Sequence, residues 1–84
     1  MRADRDPSVV HNPRYKYMLG KLREARLDAG LTQVEVAKAL GKTQGWVSKC
    51  ELGERRIDPL DLQDLAKLYG RPLTYFLPAP RRRR

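Results

Sequence analysis

The sequence predicts a small all-α protein, a bundle of five helices. Apolar residues recur at three- and four-residue intervals in several short segments, and each of these segments has a capping residue before it and a glycine after it. The 84 residues are enough for one modest hydrophobic core. We therefore expect one domain over residues 13–77, between a flexible arm at 1–12 and a disordered basic tail at 78–84.

The first helix is predicted from Pro13 to Ala29. Asn12 before Pro13 has the form of an N-cap followed by proline at the first helical position, which is a common helix start. Gly30 then ends the helix. The residues expected on its buried side follow helical spacing and are Leu19, Leu22, Ala25, Arg26 and Ala29.

The centre of the chain predicts two short helices joined at a glycine. Thr32 and Glu35 have the capping-box spacing that starts a helix, predicted over residues 33–40. Gly41 can adopt the left-handed conformation that ends it, and a second helix follows over residues 44–52. Two short helices with a tight turn between them are the pattern of a helix-turn-helix.

The second helix of this pair has a polar outer face. Thr43 can cap it, and Val47 and Cys50 are spaced to point inward. A capped helix start with polar neighbours suits the reading of a DNA groove. The residues left pointing largely outward are Gln44, Gly45, Trp46, Ser48 and Lys49.

Two further helices complete the predicted bundle. Asp58 and Pro59 repeat the cap-and-proline signal, and Gly70 ends the fourth helix. Its apolar face consists of Leu62, Leu65, Ala66 and Tyr69. A short fifth helix is expected near Pro72 to Leu77, where the density of apolar side chains requires some of them to pack on the core or on a second subunit.

The order and spacing of these elements resemble those of the Xre-type, or Cro-repressor-type, helix-turn-helix family of transcription regulators, over residues 19–77. The resemblance implies a lambda-repressor-like DNA-binding bundle. The matching elements are Leu22-Arg23-x-x-Arg26, Gly30-Leu31-Thr32-Gln33, Val36-Ala37, Leu40-Gly41, Thr43-Gln44, Val47-Ser48, Glu51-x-Gly53 and Leu65-Ala66.

The resemblance implies that helix 33–40 lies on the phosphates and that helix 44–52 enters the major groove. A glutamine can pair with adenine through both groups of its amide, which makes Gln44 the strongest candidate for reading a base. The full set of candidate base contacts is Gln44, Gly45, Trp46, Ser48 and Lys49. The candidate phosphate contacts are Gln33, Thr43, Arg55 and Arg56.

Three positions depart from the common family pattern. Gly45 and Trp46 stand where small polar residues are frequent, and Ile57 stands where a proline is often found. From the sequence, Trp46 has two interpretations: contact with a thymine methyl group, or packing at the helix edge. The family also joins Arg26 and Glu51 in an ion pair, which we expect to orient the helices without touching DNA.

The charge balance favours a polyanionic partner. The chain has 18 Lys and Arg against 10 Asp and Glu, a formal net charge of +8. Four of the excess charges are the arginines at 81–84, and those at 2 and 5 are balanced by aspartates at 4 and 6, so residues 13–80 carry +4. The tail itself has two interpretations, a phosphate grip or a nonspecific polyelectrolyte.

Enzyme, metal and membrane functions find no support in the residues. One histidine, His11, and one inward-facing cysteine, Cys50, offer no catalytic set, metal site or cofactor site, and we expect none. No apolar run approaches the roughly 18 residues that span a bilayer. Without a signal-peptide pattern in residues 1–12, a cytoplasmic location is the expectation.

The expected partner is double-stranded DNA, bound by a homodimer at an inverted-repeat operator. The dimer is favoured because it is common in the family that the sequence resembles and because the C-terminal segment is apolar. A repressor is favoured over an activator. An alternative function is an antitoxin that binds a protein partner and represses its own promoter with the same motif. Neither terminus contains an obvious toxin-binding extension, but a short segment can become ordered on a partner.

Overall fold

The computed structural model describes residues 12–80 and contains four α-helices. These are α1 (Pro13–Asp28), α2 (Gln33–Leu40), α3 (Gln44–Leu52) and α4 (Pro59–Tyr69), followed by one 3-10 helix, Leu73–Phe76. No strand occurs within this part of the chain. The all-α class is confirmed. Residues 1–11 of the predicted arm and the tail arginines at 81–84 lie outside the described residues.

Side-chain caps set the start of each α-helix. The Asn12 side chain accepts hydrogen bonds from the first turn of α1, and Thr32 and Glu35 form the full capping box of α2. Thr43 accepts from the Trp46 N–H at 3.0 Å, and Asp58 caps α4. The start of each helix is therefore fixed by residues local in sequence.

The turn between α2 and α3 depends on Gly41. Its backbone has φ +69°, in the left-handed region that glycine adopts without steric cost. The amide of Lys42 then donates to the carbonyl of Ala37 at 2.8 Å, which closes the end of α2. This tight exit places the first residue of α3 beside the first residue of α2.

The expected short fifth helix is a single turn of 3-10 helix. Pro72 and Pro78 bound a segment of only five residues, too short to propagate α-helical hydrogen bonds. The bonds at its two ends run from Tyr75 N–H to the Pro72 carbonyl at 2.9 Å and from Leu77 N–H to the Thr74 carbonyl at 3.3 Å, the i→i+3 pattern of a 3-10 helix. The segment predicted as a short helix is therefore helical as one 3-10 turn, and the described chain has four α-helices, so the predicted count of five is not confirmed.

One hydrophobic core joins the four helices and the 3-10 turn. Phe76, Val36 and Val47 are its largest fully buried side chains, and Leu22 and Leu65 lie beside them. Ala29, predicted on the buried side of α1, is exposed because it forms the C-cap of the helix, outside the packed stripe. The core thus depends on one aromatic ring supplied by the last element.

Cationic and aromatic side chains hold the 3-10 turn against α1. Lys21 Nζ lies 5.0 Å from the centre of the Tyr75 ring, and the Arg71 guanidinium lies 4.8 Å from the same ring. Arg71 also pairs with Asp28 at 3.2 Å. The Tyr75 and Phe76 rings meet edge to face at 5.0 Å. These contacts fix the 3-10 turn and the loop before it on α1.

Replacing Phe76 with alanine is expected to lower the free energy of unfolding by about 3–5 kcal/mol, because it removes a fully buried ring. Urea unfolding followed by circular dichroism measures this change. Leu27→Ala, at a side chain 56% exposed, is the control and should change stability by less than about 0.5 kcal/mol. Equal effects of the two substitutions would contradict a core role for the 3-10 turn.

Candidate nucleic-acid interface

The residues predicted to contact DNA lie at the start of α2, on α3 and its N-cap residue, and in the loop after α3. Among the predicted base contacts, Gln44, Gly45 and Lys49 are exposed, whereas Trp46 and Ser48 are half-buried. Among the predicted phosphate contacts, Thr43, Arg55 and Arg56 are exposed and Gln33 is half-buried. The helix starts bring Gln33 and Gln44 into direct contact.

A nearly buried ion pair joins α1 to α3. Arg26 Nε donates to Glu51 Oε2 at 2.6 Å, and Arg26 Nη2 donates to Glu51 Oε1 at 3.1 Å. Each side chain is 9% exposed. Arg26 also donates to the carbonyl of Leu31, at the turn into α2, at 3.0 Å. The hydrogen bond with Glu51 raises the pKa of Arg26, so the guanidinium remains charged.

The Glu51 carboxylate also begins a series of side-chain hydrogen bonds that passes through α2 and ends at the first residue of α3. Gln33 Nε2 donates to Glu51 Oε1 at 3.0 Å, and Gln44 Nε2 donates to Gln33 Oε1 at 2.7 Å. Four side chains from three helices are therefore connected. We call this set the Arg26–Gln44 network; it consists of Arg26, Glu51, Gln33 and Gln44.

The charge of Glu51 fixes the direction of every bond in this network. An ionised carboxylate only accepts hydrogen bonds, so Gln33 must turn its NH2 group toward Glu51. The Gln33 carbonyl then faces Gln44, which must turn its own NH2 group toward Gln33. The Gln44 carbonyl oxygen and one N–H remain available at the exposed start of α3, and one N–H of Gln33 remains available at the start of α2.

A comparison with known families matches residues 22–76 to the family described as helix-turn-helix. The match covers more than half of the chain, from the second half of α1 through the 3-10 turn. The chain belongs to the Xre-type helix-turn-helix family. This confirms the resemblance carried by the sequence motifs and supports DNA binding and transcription regulation as the general function. The comparison with curated proteins found no match.

Trp46 of this Xre-type regulator lies half-buried against the core. It borders a narrow apolar space together with Leu22, Val47 and Leu65, and Lys42 Nζ lies 4.9 Å from the centre of its ring. Of the two interpretations, these contacts favour packing at the helix edge. The backbone of Trp46 also donates to the Thr43 hydroxyl, so that hydroxyl already accepts one bond within the protein.

Cys50 is a core residue of the helix-turn-helix domain. Its side chain is buried, and burial raises the pKa of the thiol to about 11. The thiol is therefore protonated near neutral pH, which makes it a poor nucleophile and a poor metal ligand. Within residues 12–80, no group of three or more His, Cys, Asp or Glu residues could hold a metal ion.

Two residues near the interface were missed by the sequence analysis. Arg23 is exposed on α1 and borders a depression of about 250 Å³ together with Ser48 and Leu52 of α3. Tyr15, also on α1, accepts a hydrogen bond from the backbone of Ile57 at 3.1 Å. Only tertiary structure brings these residues to α3 and its loop, so spacing along the sequence contains no signal for them.

No helix of the described chain is long and apolar enough to cross a membrane. The family is one of DNA-binding regulators and is not typically enzymatic. Of the predicted basic tail, the structure describes residues 78–80, where the carbonyl of Ala79 accepts a hydrogen bond from Arg14 Nη1 at 3.1 Å.

Glu51→Ala is expected to lower the free energy of unfolding by about 3–5 kcal/mol, because it leaves the Arg26 guanidinium buried without its partner. Asp28→Ala, which removes the exposed pair with Arg71, is the matched control and should cost less than about 1 kcal/mol. Urea unfolding of both variants makes the comparison.

The double variant Arg26→Met/Glu51→Met should recover most of the loss in Glu51→Ala, since it removes both charges and keeps similar volume. An Asp28→Ala variant as unstable as Glu51→Ala would show that the buried pair has no special role in stability.

Proposed function

We propose that this protein is a sequence-specific repressor that binds double-stranded DNA with α3 in the major groove. The observation that carries the proposal is the Arg26–Gln44 network, which ends on a glutamine at the exposed start of α3. A surface glutamine without fixed partners has no preferred amide orientation. A glutamine whose orientation is set by a buried carboxylate is suited to distinguish one base from another.

The proposed target of Gln44 is adenine. In the major groove adenine offers the N7 acceptor and the N6 amino donor. Gln44 keeps one N–H and its carbonyl oxygen available after donating to Gln33. These two groups match N7 and the N6 amino group, whereas guanine offers two acceptors at the corresponding positions. Ser48 and Lys49 are proposed as neighbouring base contacts on the same helix.

The proposed phosphate contacts position the domain on the duplex. Gln33 keeps one N–H beside the free backbone amides at the start of α2, an arrangement that suits a phosphate oxygen. Thr43 lies at the start of α3, and Arg55 and Arg56 are exposed in the loop that follows it. Contacts of this kind contribute affinity and register, with little dependence on base sequence.

Repression requires an operator, and we propose an inverted repeat bound by a homodimer. Two copies related by a two-fold axis would place their α3 helices in successive major grooves about 34 Å apart. Exposed apolar side chains are available for contact between copies. They include Leu52 and Leu60 at either end of the α3–α4 loop and Leu73 and Leu77 near the chain end.

Selection of bound sequences from a random duplex library tests the proposal. We expect an inverted repeat with an adenine at one fixed position of each half-site. Gln44→Ala should weaken binding to this operator by about 1–3 kcal/mol and remove the preference at that base pair. Gln63→Ala, an exposed glutamine on α4, is the matched control and should leave affinity and preference unchanged.

Equal binding to all duplexes, lost as salt is raised, would show only the attraction of a basic chain to polyanion. Sequence-specific repression would then be wrong, and a protein partner would become the subject of the search. A single half-site recovered from the selection, together with a monomeric mass on DNA, would contradict the dimer alone.

Gly45→Ala is expected to affect the stability of the fold and the affinity for DNA in opposite directions. A Cβ at this position would lie 3.9 Å from the Thr43 hydroxyl, an ordinary contact, so alanine should stabilise α3 by about 0.5–1 kcal/mol. The added methyl group should nevertheless weaken operator binding by about 1 kcal/mol or more if the backbone approaches base edges closely.

Gly20→Ala is the control for this substitution, since Gly20 lies on α1 and its added Cβ would meet no atom within 4 Å apart from its chain neighbours and its own helix backbone. It should stabilise the protein with no change in affinity, as measured by thermal unfolding and DNA titration. Unchanged operator binding by Gly45→Ala would mean that the backbone of α3 stays away from the bases.

A further inference from the structure

The loop between α3 and α4 is held just before the N-cap of α4 by a side chain from α1. The Tyr15 hydroxyl accepts a hydrogen bond from the Ile57 backbone N–H at 3.1 Å. Both residues are half-buried and pack against the core. A backbone N–H in such a place needs a partner, because leaving it without one costs stability. Tyr15 supplies that partner from a distant part of the sequence.

The ends of the same loop are fixed by its own helices. The amides of Glu54 and Arg55 both donate to the carbonyl of Lys49, at 2.9 and 3.3 Å, which closes the end of α3. Asp58 caps α4 at the other end. The exposed residues Arg55 and Arg56 therefore lie between the close of α3 and the Tyr15 bond. Without that bond, the Ile57 amide would lose its hydrogen-bond partner, and Ile57 would be held by the packing of its side chain.

We infer that Tyr15 is a positioning residue for phosphate binding by the α3–α4 loop. Its hydroxyl fixes the backbone from which Arg55 and Arg56 extend, so that less conformational freedom is lost when they bind phosphates. This inference deepens the proposed function and rests on it. The Tyr15 ring has a separate role in packing, which Tyr15→Phe preserves while it removes the hydrogen bond.

The main experiment compares Tyr15→Phe with Tyr17→Phe in titrations of the selected operator and of an unrelated duplex at several salt concentrations. Tyr17 lies on the same helix, and its exposed ring stays beside Lys21 without the hydroxyl. Tyr15→Phe should weaken binding to both duplexes by roughly three- to tenfold. The ratio between operator and unrelated duplex should not change, since base reading by Gln44 is unaffected.

The salt dependence gives a readout that loss of stability alone would not change. Weaker phosphate contacts release fewer counterions, so the slope of log affinity against log salt should become shallower by up to about 1 in Tyr15→Phe. Tyr17→Phe should keep the slope of the original protein. An unchanged slope and unchanged affinity in Tyr15→Phe would overturn the inference.

A variant that lacks both loop arginines tests whether Tyr15 acts through them. In Arg55→Gln/Arg56→Gln, the Tyr15→Phe substitution should have no further effect on affinity, because the side chains it positions are absent. The same three- to tenfold loss in this background would overturn the inference and indicate a general structural role.

Hydrogen exchange of the original protein needs no variant. The Ile57 amide should exchange more slowly than that of Arg56, and exchange as fast as in an unstructured chain would also overturn the inference. If the original protein binds no duplex at all, the proposed function is wrong and the inference falls with it. Binding by the original protein that Tyr15→Phe leaves unchanged would reject the positioning role only.

Discussion

The structure depends on the satisfaction of one nearly buried carboxylate, that of Glu51. A carboxylate removed from water is costly unless donors surround it. Arg26 supplies two hydrogen bonds from α1, and Gln33 supplies a third from α2. Glu51 itself belongs to α3. Its two oxygens therefore connect the two helices of the helix-turn-helix, α2 and α3, to α1. The relative placement of α2 and α3 is thus determined by an electrostatic requirement as well as by the packing of Val36 and Val47.

The same requirement determines the polarity of a surface group. Amide side chains have a donor end and an acceptor end of nearly equal size, and packing alone distinguishes them poorly. Glu51 accepts hydrogen bonds and cannot donate them, so its charge orients Gln33, and Gln33 in turn orients Gln44. The stability of the fold and the proposed reading of a base therefore share one set of hydrogen bonds. A change at Glu51 would alter both.

Capping residues and glycines predicted where the α-helices begin and end, but they could not predict contacts between residues that are distant in the sequence. Capping residues such as Thr32 and the glycine at 41 act within a few residues, and their effects can be read from the sequence. Pro72 and Pro78 limited the segment between them to a 3-10 turn. The number of apolar residues in this segment predicted that it packs on the core but did not predict this limit. The side of α3 on which Trp46 packs, the partner of Gln33 and the contact of Tyr15 with Ile57 all arise from tertiary geometry. Spacing along the chain does not contain that information.

Under the proposed function, discrimination and affinity reside in groups that are held by different contacts. Gln44 is neutral and is oriented by the Arg26–Gln44 network, so its contribution to choosing a base should depend little on salt. Arg55 and Arg56 are charged, and their loop is fixed by Tyr15 and by the Lys49 carbonyl, so their contribution should weaken as salt rises. The described chain carries only a moderate excess of positive charge, since half of the net +8 comes from residues 81–84. The placement of a few fixed groups, rather than total charge, is therefore what can make binding selective.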